Sequence, residues 1–389
     1  MITEKLYIFD TTMRDGNQSA LAKDMGIKAK VQLGRQLNAL GVDIIEAGMP
    51  VSSREEHDAV KRVAREVPGS IIAGLARALP NDIESAWDAL KSAQDPRIHV
   101  FLSTSDIHLM HQMKKSREEI MEMAVAGVKY ARNLCGDVEF SPMDATRTDP
   151  VYLYELLEKV IQAGATTINI PDSVGYALPS QFKTLITGIF QNVPSLDPTK
   201  IRLSVHCHND LGGAWANTIA GIEAGARQVE GCINGIGERA GNVALEEIIA
   251  TVHTRGDNLG VHTDIDTKQI MRTSALTSKI TGLKVQANKA VIGAQAFAHE
   301  SGIHQDAVLK HLKTFEILDK GEFGIDEELQ IRVGRNSGTG GIIHVAKRAL
   351  DIDLTRAEAY AIRTLIVDGR HRGKITTQIL HEMVEQVRM

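Results

Sequence analysis

The 389-residue chain is poor in the groups that mark several protein classes. It has three cysteines, Cys135, Cys207 and Cys232, and no Cys-x-x-Cys pair. That excludes a disulfide framework and fits a reducing compartment. There is no membrane-length apolar run, and no signal-type segment precedes the apolar strand that begins near residue 5. The expected location is the cytoplasm, with no membrane partner. An excess of either charge is also missing, with 44 Lys plus Arg against 49 Asp plus Glu. This balance argues against a nucleic-acid partner and leaves any anionic ligand to local positive groups. Finally, no Gly-rich phosphate turn follows an early strand, which speaks against an open doubly wound sheet.

What the chain does have is alternation. Short β-branched runs predict strands at Lys5–Thr12, Val42–Met49, Ser70–Arg77, Arg97–Thr104, Asp137–Met143, Thr166–Ser173, Arg202–Asp210 and Gln228–Gly237. Amphipathic stretches such as Gly26–Leu40, Arg117–Asn133 and Ala214–Ala224 lie between them. This rhythm predicts an α/β fold, a (β/α)8 TIM barrel, over residues 1–264. From about Ile265 the rhythm changes. Residues 265–325 read as a linking subdomain carrying the polar stretch Ala298–Asp306, and 326–389 as a C-terminal helical appendage.

A TIM barrel keeps its chemistry at the C-terminal ends of its strands. Polar residues gather there: Asp10–Asp15, Glu46, Arg77, Ser103–Ser105, Asp144, Asp172–Ser173, His206 with His208, and the Gly-rich loop Asn234–Asn242. In a strand, His206 and His208 share a face while Cys207 points away from it. An isolated His-x-His is most often unremarkable, but Asp15 completes a two-histidine, one-carboxylate set and Asn242 adds a carbonyl oxygen. Their strands, first, seventh and eighth, become neighbours when the barrel closes. Such a set suits a divalent cation, Mg²⁺, Mn²⁺, Zn²⁺ or Fe²⁺. Open coordination positions suit a 2-oxo acid bound through keto and carboxylate oxygens, with Arg14 stabilising a developing alkoxide.

Five motifs carry a resemblance: DTTMRDGNQ at 10–18, PDSVGY at 171–176, SVHCHNDL at 204–211, NGIGERAGN at 234–242 and AHESGIHQD at 298–306. In order and spacing they resemble the isopropylmalate and homocitrate synthase family of metal-dependent, acyl-CoA-condensing barrel enzymes. The resemblance implies a divalent metal (Mg²⁺, Mn²⁺ or Zn²⁺) held by Asp15, His206, His208 and, in some members, Asn242. It implies that Arg14 and Ser173, usually Thr in the family, hold the 2-oxo acid, with Gln18 and Glu46 lining the same pocket. His304 matches a histidine that helps to deprotonate acetyl-CoA after insertion into a partner subunit's barrel, so a homodimer is expected. The implied reaction condenses acetyl-CoA with a 2-oxo acid and hydrolyses the thioester, as in leucine biosynthesis. A leucine-binding regulatory domain is not expected in this chain.

Two further features refine the expectation. Homocitrate synthases commonly carry His at position 78 and Arg at 139, where this chain has Ala78 and Glu139. A carboxylate at 139 facing the pocket would repel a dicarboxylic oxo acid, which favours a monocarboxylic one such as 2-oxoisovalerate. The chain also departs from the family: Met143 replaces a usual Glu, Phe315 a usual Tyr, and Asn17 a frequent Glu. One or two methylenes change discrimination by only about 1–3 kcal/mol, which keeps open a sister synthase acting on another oxo acid, and the departures at Met143 and Phe315 keep open a metal- and ligand-binding paralogue with weakened catalysis.

Overall fold

The computed structural model describes residues 3–325, 330–369 and 375–389. It divides into two compact units, Met1–Lys284 and Val285–Met389. The first is the expected barrel. Its strands are β1 (Tyr7–Asp10), β2 (Ile44–Gly48), β3 (Ile71–Arg77), β4 (Pro96–Ser103), β5 (Val138–Met143), β6 (Thr167–Asp172), β7 (Arg202–Cys207) and β8 (Gln228–Gly231). All neighbours are parallel, and the ring closes where Tyr7 pairs with Gln228 and Asp10 with Gly231. The first predicted strand is split. Glu4–Lys5 pairs outside the barrel with Val261–His262, and the barrel strand begins two residues later.

Helices α1 (Ile27–Leu40), α2 (Arg54–Glu66), α3 (Pro80–Leu90), α4 (Arg117–Leu134), α5 (Pro150–Gln162), α6 (Pro179–Asn192), α7 (Ala214–Glu223) and α8 (Leu245–Leu259) link the strands, and α9 (Ile270–Thr281) follows. Local chemistry sets their ends. Ser116 and Glu119 form a reciprocal capping box at the start of α4, and Gly41 ends α1 in the left-handed conformation.

Alternation sorts the strand residues. Inside the barrel, Phe9, Ile44 and Ala73 form an apolar cluster. Buried polar groups from β4 to β8 make a hydrogen-bonded array there, with Arg97 bonded to Glu139 and Gln228, and His99 to Ser141. Outward-facing residues such as Ile8, Ile98, Phe140 and Val205 are fully buried beneath the helices.

The second unit has its own core. After α10 (Gly302–Lys310), helices α11 (Thr339–Leu350), α12 (Arg356–Asp368) and α13 (Thr377–Arg388) supply most of it, including Ile342, Ile362, Leu380 and Val384. A two-residue parallel pair, Ala298–His299 with Gln330–Ile331, adds a feature that the sequence pattern did not signal. The expected boundary at 326 falls outside the described residues.

Candidate active site

The loop after β1 turns Arg14 and Asp15 over the barrel mouth. Arg14 donates to Glu46 on β2 and to Asp15, both at 2.6 Å. Burial disfavours its charge, but the two carboxylates more than offset this and keep the guanidinium protonated. Burial likewise pushes the Asp15 carboxyl upward, yet the Arg14 guanidinium, helped by the Asn242 amide, outweighs it and holds the carboxyl well below the usual range.

His206, on β7, and His208, just beyond it, stack with ring centroids 5.1 Å apart. Cys207 turns to the other face of the strand and is fully buried there. The ligand-type atoms of Asp15, His206 and His208 lie within 4.8 Å of one another. Asn242 joins them from the loop after β8, donating to Asp15 at 2.7 Å, with its carbonyl oxygen 2.6 Å from His206 Nε2. Burial keeps both imidazoles neutral, lowering His206 and bringing His208 down to about 4 with help from its neighbour.

These details fit a cation. A neutral imidazole has one N–H. If His206 gives it to Glu230, 2.8 Å from Nδ1, the Nε2 lone pair opposes the Asn242 oxygen. An ion coordinated by both would remove that repulsion. His208 Nδ1 is buried without a hydrogen-bond partner. Gly237 keeps the space open, because a Cβ there would stand 2.1 Å from Asn242 Nδ2 and 2.7 Å from Asp15 Oδ1.

Beside this cluster lies a cavity of about 300 Å³. Arg14, Asp15, Gln18 and Ser173 line it, and Leu75, Phe101, Met143 and Pro171 give it an apolar wall. Gln18 is exposed at the mouth. Ser173 Oγ accepts the Asp144 N–H at 2.9 Å, which leaves its O–H free to donate. Glu46 is fully buried and acts on the site through Arg14 and His99.

Four side chains at this site went unread in the sequence: Glu230, His99, Ser141 and Asn169. Their signal is a polar residue at every second position of an otherwise apolar strand, as in Arg97-Ile98-His99. Other strand-end polar residues turn elsewhere. Arg77 is half exposed and pairs with Asp82, while Asp172 pins the β6 loop through the Ala177 N–H and Asn217. Nor do the two residues that argued against a dicarboxylic substrate meet this cavity. Glu139 lies one inward position below Ser141, bonded to Arg97 and Gln228, and Ala78 packs against Gly127 on α4. Strand parity and depth, which composition does not reveal, place them there.

His304 belongs to the second unit. Its ring is exposed and stacks on Phe315 at 3.9 Å, with His299 edge-on at 6.4 Å.

Comparison with known proteins agrees with this architecture. The HMGL-like family matches residues 5–277, and the homocitrate synthase post-HMGL domain-like family matches 291–374. A 2-isopropylmalate synthase of Carboxydothermus hydrogenoformans is 49% identical over 388 residues, covering 98% of this chain and 74% of that protein. The chain belongs to the 2-isopropylmalate synthase family. A 2-isopropylmalate synthase of Clostridium kluyveri is 51% identical over 337 residues, but the chain spans only 65% of its length. Among solved structures, hydroxymethylglutaryl-CoA lyase of Pseudomonas aeruginosa shares the fold, with a TM-score of 0.62 at 21% identity over 73% of this chain and 96% of that one.

Proposed function

We propose that the chain condenses acetyl-CoA with a monocarboxylic 2-oxo acid, 2-oxoisovalerate foremost, and hydrolyses the resulting thioester, the committed reaction of leucine biosynthesis in the cytoplasm. One observation carries this reading: a single cavity sets Arg14 and the Asp15–His206–His208 cluster beside an apolar wall. A branched 2-oxo acid needs both, charge for its oxygens and apolar surface for its side chain.

A divalent ion (Mg²⁺, Mn²⁺ or Zn²⁺) held by Asp15, His206, His208 and Asn242 would polarise the keto group. Arg14, fixed by Glu46, stabilises the alkoxide that develops. Ser173 donates its free O–H to the substrate carboxylate, and Gln18 closes the mouth. His304 takes the proton from the acetyl methyl group.

The chain acts as a homodimer in this reading. Large apolar side chains exposed on the barrel unit, among them Leu21, Leu79, Met110, Tyr176, Leu178 and Leu211, all follow strand C-terminal ends and ring the mouth. Such a rim supports coverage by a second copy.

The test is thiol release from acetyl-CoA with a panel of 2-oxo acids, with and without divalent metal. Release that needs both 2-oxoisovalerate and metal is expected, and no release with any oxo acid would sink the proposal. Preference for pyruvate or 2-oxoglutarate would move the chain to a sister synthase. A second reading, a binding paralogue without turnover, draws on Met143 in the cavity wall and on Phe315, which brings no hydroxyl to His304. Calorimetric binding of the oxo acid without thiol release would favour it.

A further inference from the structure

At the other end of the barrel from the active-site cavity, the N-terminal mouth holds a second cavity, of about 510 Å³. Its floor is the first inward-facing layer of the strands. Tyr7 opens β1 two residues before the inward Phe9, and Arg202 opens β7 two residues before Ser204 and four before His206. Arg97, near the start of β4, reaches Glu139 and Gln228 inside the barrel. Ile71 at the start of β3 and Phe190 on α6 add apolar surface to the same cavity.

Five cations and two carboxylates line this cavity, in a chain whose net charge is −5. Four of the cations have acidic partners. Lys5 has Asp43, Arg97 has Asp137 and Glu139, Lys200 has Asp197, and Arg227 has Glu4. Both lining carboxylates, Glu4 and Asp137, are used in those pairs, and Asp137 also accepts the Thr166 hydroxyl at 2.6 Å.

Arg202 is left over. Its guanidinium lies 3.5 Å over the Tyr7 ring, half-buried, with no acidic partner among the described residues. Stacking on an aromatic face offsets part of the cost of that charge, but it satisfies none of the N–H donors in the plane of the group. Arg97 is only 1% exposed, and it spends Nε on Asp137 and Nη1 on Glu139 and Gln228. Its Nη2 has no acceptor among the described residues. Two guanidinium groups with uncommitted donors therefore line one cavity.

We propose that the N-terminal mouth is a second binding site, for an oxyanion, carboxylate or phosphate, carried on a small apolar or aromatic body. Arg202 binds the anion in the plane of its guanidinium, where two parallel N–H···O bonds fit either group. Arg97 adds positive charge from the floor, and Phe190 and Ile71 receive the body. The residues lining this cavity and those lining the active-site cavity have no member in common, so the ligand does not compete with a 2-oxo acid.

Benzoate and phenyl phosphate test this, because they share one aromatic body and differ in the anion. Each is titrated into the full chain at low salt, by calorimetry and by the shift in the unfolding midpoint. At least one should bind and raise that midpoint. Arg202→Ala should weaken the binding about 10–100-fold, and Arg202→Lys, which keeps the charge but not the planar fork, should weaken it less. Arg14→Ala, at the opposite mouth, should bind as the unchanged chain does. Tighter benzoate assigns a carboxylate ligand, and tighter phenyl phosphate a phosphorylated one. Binding of neither overturns the proposal. So does undiminished binding by a folded Arg202→Ala chain, or binding lost in Arg14→Ala instead.

Discussion

At the residue scale, the candidate metal cluster depends on what stands behind it. Glu230 faces His206 Nδ1 from a fully buried position and fixes which ring nitrogen points at Asp15 and Asn242. Glu230→Gln should weaken Mn²⁺ binding about 10–100-fold, measured by calorimetry. Unchanged affinity would show that Glu230 does not orient the ligand. Met143 poses the opposite question, a missing group in an intact cavity. Met143→Glu should raise kcat for thiol release by about tenfold or more while metal affinity stays constant. An unchanged kcat would mean that proton transfer runs through other groups.

At the scale of the elements, alternate residues of the strands form a charged array inside the barrel whose proton content follows pH. Burial opposes the charge on His99, but Glu46 overrides it and raises the imidazole from 6.5 to about 9. Its stabilisation is therefore complete below pH 6.5 and fades as pH rises through 9. Burial raises the Glu139 carboxyl to about 8, so the folded chain holds a proton that the unfolded chain releases from about 4.5 upward. Both act in one direction. Unfolding free energy should fall between pH 6.5 and 9 by on the order of 1–3 kcal/mol, followed by denaturant titration, and His99→Asn should flatten that slope. The loop after β8 offers a steric test. Gly237 has φ of +153°, and its Cβ position is filled by Asn242 and Asp15. Gly237→Ala should displace these groups and lower metal affinity more than it lowers the unfolding midpoint.

The elements were largely legible beforehand, because period-2 apolar runs between amphipathic helices have few packing solutions other than a closed parallel barrel. His206 and His208 could be paired from their spacing alone, since i and i+2 share a strand face. Asp144 could not be placed. Its left-handed backbone turns the side chain toward His108, a choice made by Ser173 and Thr148 from elsewhere in the chain. Glu139 shows the same limit, since parity aims it inward but its depth below Ser141 follows from barrel register.

On the scale of the whole molecule, the proposed homodimer makes its own prediction. If His304 serves the partner's barrel, Arg14→Ala and His304→Ala chains, each inactive alone, should regain thiol release when unfolded together and refolded as a mixture. No recovery, with dimers present by sedimentation, would place both groups in one chain's site.

By itself the sequence determined the barrel, its polar mouth and the pairing of two histidines, because these rest on local periodicity and residue chemistry. Only the tertiary structure decided which polar side chains share the cavity. It gathered Asp15, His206, His208 and Asn242, put Glu230 behind them, and sent Asp144 to His108. The reason is physical: a side chain's direction and depth depend on strand register and on hydrogen bonds from distant segments.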